Sequence, residues 1–292
     1  MKRFRKLAGV MLFCVLTLAT TVLYAADKKS YLAMGADLTP QQQATVLQLL
    51  EVDASKLGDY DVTYITNADE HKYLDSYVDP NAIGTHSLSS VVVYEKEPGS
   101  GLDITTKNIS FCTEGMYRNA CATAGITDAK IIVAGPSPIS GTAALVGIFK
   151  AYENMTGKTI DVDKVDGALN ELIVTGNLEG ALSDLDPNTI EQLLAYLKNY
   201  MKENNLHDEA SISAAVDEAC KSYGVVLSDS ERSQVISLLM KLDQLDLDPK
   251  ALTQMVEGYQ KATSAANGVT EFFRSVGESI SNFFKGLFGG KN

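Results

Sequence analysis

The sequence predicts an α+β protein: a mixed α/β N-terminal part with a small sheet, then an all-helical bundle, then an amphipathic C-terminal helix. Three observations predict it. Short β-branched runs such as Val91-Val92-Val93 and Ile131-Ile132-Val133 alternate with helix-patterned stretches up to about residue 158. From Ile160 to Ala265 the strand signals vanish and apolar residues recur at helical spacing. Five of the seven phenylalanines outside the N-terminal leader then fall between residues 272 and 288. Strands interspersed with helices, followed by helices alone, pack most economically as a helix-covered sheet with a bundle appended.

The first element, residues 1–25, has the order of a secretory signal peptide: MKRFRK, then the apolar run LAGVMLFCVLTLATTVLYA, then polar ADKKS. Cleavage is expected after Ala25. The run also approaches the ~18 residues of a spanning helix, so a retained anchor is the alternative. Met11, Leu12 and Phe13 precede Cys14 where lipoprotein processing needs small residues. The expected location is secreted or extracytoplasmic, at the cell envelope. Losing the four basic residues of the leader leaves 21 basic against 37 acidic side chains. Such a balance excludes nucleic acid as the partner of the body of the protein, because phosphate binding needs Lys and Arg to displace counterions. Cys112, Cys121 and Cys220 remain, an odd number without a CxxC or CxxH neighbour, and read as buried apolar thiols.

Residues 26–158 form the mixed α/β part. Thr39 and Gln42 make a capping box before QQQATVLQLL, which predicts a helix. DVTYITNADEHKYLDSYV reads as a strand through Ile65 and a helix capped by Asn67. SSVVVYEKEPGSGLDITT reads as two strands joined by a Pro/Gly turn, Glu114 to Ala124 suits a helix, and KIIVA at 130–134 is a buried strand.

Residues 159–267 read as a bundle of about five short helices carrying eight basic and nineteen acidic residues. Asp186-Pro187 and Asp248-Pro249 each place an acceptor at the N-cap and a proline at the first helical position. Ser228 and Glu231 repeat the capping box of Thr39 and Gln42. The stretches 35–50 and 224–239 align without a gap, which either duplication or convergent use of a good helix start explains.

The stretch 131–153 runs from a strand through Gly135-Pro136-Ser137-Pro138-Ile139-Ser140-Gly141-Thr142 into a helix lined by Leu145, Ile148, Phe149 and Tyr152. A nucleotide P-loop is excluded: five residues separate Gly135 from Gly141, and no lysine precedes Thr142. A nucleophile elbow fits only in its first half, since Ile139 replaces the second glycine and prolines flank Ser137. His86 is the histidine placed to serve a Ser137 nucleophile. Free amides with the hydroxyls of Ser140 and Thr142 around Gly141 make the loop a candidate anion or ligand site. The structural alternative has Ser140 or Thr142 as N-cap, with Gly141 letting the backbone approach the sheet. DVDKVDG at 161–167 and the Asp184, Asp186, Asn188 alternation both fail the calcium-loop pattern and read as helix caps. No metal or cofactor is expected.

YLAMGADLTPQQQATVLQLL, SSVVVYE and SGTAALVGIFKAYENMTG resemble the YpuA-like family of secreted Gram-positive bacterial proteins, a domain of unknown function. The resemblance spans roughly residues 30 to 265, with Ser-Gly-Thr-Ala-Ala-Leu its most specific stretch. It implies export and residence in the envelope, and brings no catalytic residues with it.

The last element, residues 268–292, places Phe272, Phe273, Val276, Ile280, Phe283, Phe284 and Leu287 on one helical face, with Glu271, Arg274, Glu278, Ser281 and Lys285 opposite. This face either closes the bundle or contacts a membrane surface or envelope partner. Together these elements predict an exported cell-envelope protein that acts as a noncatalytic binding or scaffolding factor. The alternative is a hydrolase of an envelope polymer with its site near the 135–142 loop. A carboxyl group held well above its usual pKa in the folded protein would favour that alternative.

Overall fold

Strand alternation decides which face of the sheet each side chain meets. The computed structural model describes residues 30–77 and 83–264 together with Glu278. Its strands are β1 (Ser30–Gly35), β2 (Tyr60–Ile65), β3 (Ser90–Glu95), β4 (Asp103–Ile109) and β5 (Ala129–Ile139), in the order β2-β1-β3-β5-β4. β1 and β2 pair in parallel, as do β4 and β5, and the central β3 runs antiparallel to both of its neighbours. Tyr31, Ala33, Val91, Val93, Ile131 and Val133 enter one core, whereas Leu32, Met34, Val92 and Ile132 enter the other. Both faces are therefore covered, which explains why β3 is an unbroken valine run.

On the second face lies α1 (Pro40–Leu49), which contributes Val46 and Leu47. On the first lie α2 (Asn67–Leu74), α3 (Glu114–Thr123) and α4 (Thr142–Thr156). Leu145, Ile148 and Phe149 of α4 are buried there, each stabilising the fold by about 1.5–3 kcal/mol. The helical part comprises α5 (Val162–Ala181), α6 (Pro187–Asn204), α7 (Glu209–Tyr223), α8 (Asp229–Asp243) and α9 (Pro249–Ser264). The fold is α+β. α3 and α5 join the two parts, because the core against the sheet runs on through Leu169 and Leu172 while Ala122 and Leu178 belong to the core of the bundle.

The predicted caps form: both capping boxes are complete, Asp186 accepts from Asn188 N at 3.0 Å, and Asp248 accepts from Lys250 N at 2.9 Å. Three details differ from expectation. α2 is capped by Thr66, in a reciprocal box with Asp69, and Asn67 is its first helical residue. β3 and β4 are joined through the Pro/Gly turn but do not pair, because β5 lies between them. β5 itself continues past Ala134 to Ile139, so most of the expected 135–142 loop is extended strand alongside β4.

Candidate functional site

β1, β2 and β5 run toward one edge of the sheet, where β3 begins: Gly35 is opposite Ile65, and Ser90 opposite Ala134. Ligands of open α/β sheets bind outside the carboxyl ends of such strands, where chains diverge. Short polar contacts fix the surrounding segments. Ser90 Oγ accepts from Gly35 N at 3.0 Å, and Ser87 N donates to Asp37 Oδ2 at 2.7 Å. A side chain at Gly35 would collide with the backbone of Ser87 and Leu88, so glycine permits this approach. Across the crevice Gly141 adopts φ 96°, the left-handed region, and starts α4. Tyr117 donates to Gly141 O at 2.6 Å, and Ala144 N donates to Ser89 Oγ at 2.9 Å.

Glu70, in the first turn of α2, reaches into this crevice and is only 3% exposed. Its Oε1 accepts from Thr142 Oγ1 at 3.0 Å. Among the described residues no hydrogen bond of ordinary geometry reaches Oε2 or the Oγ of nearby buried Ser87. Burial pushes the Glu70 carboxyl above the usual range, while hydrogen bonding from Thr142 and, more weakly, from Ser87 and Asn67, together with the charge of His71, opposes the rise. A cavity of about 180 Å³ opens onto this carboxyl, with His86, Ser89 and Ser140 as its polar lining and Ile83, Leu88, Ile139 and Ala143 as its apolar walls.

A second group of acids, buried Glu191 and half-buried Glu179, lies where α3, α5 and α6 meet. Glu191 of α6 accepts from Thr113 Oγ1 at the N-terminus of α3, where a carboxylate is favoured by the helix dipole. Burial raises its pKa; the Thr113 hydrogen bond and the charge of Arg118 oppose that rise. Burial, reinforced by the charge of Glu191, pushes the Glu179 carboxyl up to about 8. Glu179 Oε1 and Arg118 Nε are both buried without a hydrogen-bond partner. A cleft of about 310 Å³ opens onto Glu191, Thr113 and Asn188. Glu179 is therefore the raised carboxyl that would favour a hydrolase, but it does not line the cavity beside the 135–142 loop.

The residues singled out in the sequence separate into three groups. His86, Ser140 and Thr142 come together around Glu70, with Gly141 shaping the turn between them. Neither hydroxyl caps α4: Gly141 is the N-cap, Thr142 Oγ1 turns to Glu70, and the close approach of α4 to the sheet is made at Gly147, which faces Ala33 and Val91. Ser137 is exposed on the last part of β5 and does not line the cavity, so it makes no nucleophile and base pair with His86, whose Nδ1 is paired with Thr85 Oγ1 at 2.8 Å. Phe272, Phe273, Val276, Ile280, Phe283, Phe284 and Leu287, like the leader, lie outside the described residues. Cys112, Cys121 and Cys220 are buried and free, and burial pushes the Cys112 and Cys121 thiols up to about 12, which makes them poor nucleophiles.

Sequence reasoning missed Glu70, Glu179 and Glu191. Glu70 precedes buried Leu74 by one helical turn, and Glu191 lies one turn before Leu194 and Ala195, so a carboxyl on an apolar stripe was the available signal.

Residues 34–259 match a protein family described as "Protein of unknown function (DUF1002)". A Bacillus subtilis (strain 168) protein named "Uncharacterized protein YpuA" is 32% identical over 292 residues, covering 95% of this chain and 98% of its own length. No solved structure matches the chain.

Proposed function

The chain belongs to the DUF1002 family of proteins of unknown function, and from that premise we propose that it is an exported, noncatalytic binding factor of the cell envelope whose ligand enters the crevice around Glu70. One observation carries this reading: a carboxyl oxygen is buried without a hydrogen bond beside a cavity lined with hydroxyls. Leaving such an acceptor unpaired costs the fold about 1–3 kcal/mol. A ligand that supplies the missing donor gives that arrangement a purpose. Export rests on the leader, and attachment to a membrane surface or envelope partner rests on the apolar face from Phe272 to Leu287.

Two measurements test the reading. Sedimentation with purified cell walls should pull down the protein and fail for Glu70→Gln, provided that variant melts like the parent. Undiminished wall binding by a folded Glu70→Gln protein would remove the crevice from the reading. Flotation on liposomes should be lost when the chain ends at Asn267 with the circular dichroism spectrum intact. If the shortened chain instead melts early and neither form floats, the tail belongs to the core.

One observation favours a second reading, hydrolysis of an envelope polymer: burial, reinforced by the charge of Glu191, pushes the Glu179 carboxyl up to about 8. A general acid beside a carboxylate is what glycoside hydrolysis uses. Release of reducing ends from purified cell walls, abolished in Glu179→Gln, would establish it, and its absence would leave the binding role.

A further inference from the structure

We propose that the crevice recognises a primary ammonium group carried on a short apolar stem, an assignment that rests on the crevice being the ligand site. The balance of donors and acceptors points to it. Among the described residues Glu70 Oε2 and Ser87 Oγ are both buried without a hydrogen bond of ordinary geometry, although Ser87 lies near enough to donate weakly to the Glu70 carboxyl. Ser140 Oγ contacts only another hydroxyl, Thr142 Oγ1 at 3.3 Å, so it can also accept. No lysine or arginine among the described residues lines the cavity. The site thus offers a buried carboxyl and several hydroxyl oxygens, and the described residues bring it no ammonium or guanidinium group.

A primary ammonium brings positive charge and three N–H donors to one point. One reaches Glu70 Oε2, and the others reach the hydroxyls of Ser89 and Ser140, which line the cavity. An alcohol brings one donor and no charge, which leaves the buried carboxylate uncompensated. A quaternary ammonium brings charge without N–H donors, and an anion is repelled. Size sets the rest of the ligand. A cavity of about 180 Å³ holds about six waters at ~30 Å³ each, enough for a short alkyl stem against Ile83, Leu88 and Ile139 but too little for a bulky group. The positive end of α4 opposes a cation here, but its effect is blunted because Ser89 Oγ already accepts from Ala144 N at 2.9 Å.

The test is a two-dimensional NMR titration of the full-length protein with n-propylammonium chloride, and with n-propanol, tetramethylammonium chloride and sodium chloride as matched probes. Saturable shifts at the amides of Glu70, Ser87, Ser89 and Ala143 should appear with propylammonium alone. Glu70→Gln should weaken that binding at least tenfold without lowering the melting temperature. Equal shifts with propanol or tetramethylammonium would overturn the assignment, as would unchanged binding by Glu70→Gln. Cell walls whose amines have been acetylated separate two outcomes. If Glu70→Gln loses wall binding while propylammonium never binds and acetylation changes nothing, the crevice remains the ligand site and the ammonium assignment fails. If a folded Glu70→Gln protein binds walls undiminished, the crevice reading and the ammonium assignment fail together.

Discussion

Replacing Lys198 with methionine tests what seats the bundle on the sheet layer. Lys198 comes from α6 with its side chain wholly buried, and its partner Glu171 of α5 is 1% exposed. The ammonium group donates to Asn119 O at 3.0 Å, Thr123 Oγ1 at 2.9 Å and Glu171 Oε2 at 2.9 Å, with Glu171 Oε1 at 2.8 Å. Three helices, α3, α5 and α6, are thereby held at one nitrogen. Methionine keeps most of the volume but leaves Glu171 with only the Thr123 hydroxyl, at 2.6 Å. Breaking a buried pair from one side costs about 3–5 kcal/mol, because the remaining charge stays dry and unpaired. That is a large share of a typical domain stability of about 5–15 kcal/mol. An exposed pair such as Lys107 with Glu51 should cost about 0.2–1 kcal/mol when broken. Urea unfolding followed by far-ultraviolet circular dichroism, with an unchanged denaturant slope, reads both losses. The double variant Lys198→Met/Glu171→Leu should recover most of the loss, since removing both charges also removes their desolvation penalty. A loss below about 1 kcal/mol for Lys198→Met, or a double variant as damaged as the sum of the singles, would refute the reasoning.

Stability should also respond to pH in a direction set by the buried acids. Glu70, Glu179 and Glu191 all have folded pKa values raised above the usual glutamate value, Glu179 to about 8. The folded protein then holds protons that the unfolded chain has released, so this contribution is complete below about pH 4.5 and is lost as pH rises toward 8. Asp69 and Asp128 are held down at about 2, and their contribution is lost as pH falls from about 4 toward that value. Melting temperature should therefore peak near pH 4–5, and Glu179→Gln should flatten the decline between pH 5 and 8; an equally steep decline in that variant would refute the assignment. Two glycines offer a paired test. A methyl group at Gly115 would overlap the Glu191 carboxyl, whereas nothing lies within 4 Å of one at Gly180 in α5. Gly115→Ala should cost about 1–3 kcal/mol, while Gly180→Ala should stabilise by about 0.5–1 kcal/mol; similar urea midpoints for the two would contradict this packing.

The parts of the fold that were legible in the sequence are those in which local chemistry and tertiary structure agree. Thr39 with Gln42, Ser228 with Glu231, Asp186 and Asp248 satisfy donors a few residues away, so the helix start is visible without the partner elements. The alternation of Val91, Val92 and Val93 between two cores was hidden, since a strand buried on both faces shows no polar position. Pairing was less legible still. Nothing local to the Pro/Gly turn between β3 and β4 says that β5, from beyond α3, will enter between them. The same insertion draws Gly135 to Ile139 into the sheet and turns an expected loop into strand, which in turn leaves Ser137 exposed on β5 and outside the crevice.

The crevice was half legible for the same physical reason. Hydroxyls and a glycine at a strand-to-helix passage can be recognised from the neighbouring residues, which is how Ser140, Gly141 and Thr142 entered the reading. Their chemistry is decided by a carboxyl brought in from 72 residues away. The structure leaves the N-cap position to Gly141 and has Thr142 donate to Glu70. That choice converts a passage suited to anions into one that holds a buried carboxylate. The sign of the expected ligand reverses with it, from an anion sought by free amides to a donor-rich cation sought by Glu70 and the hydroxyls beside it.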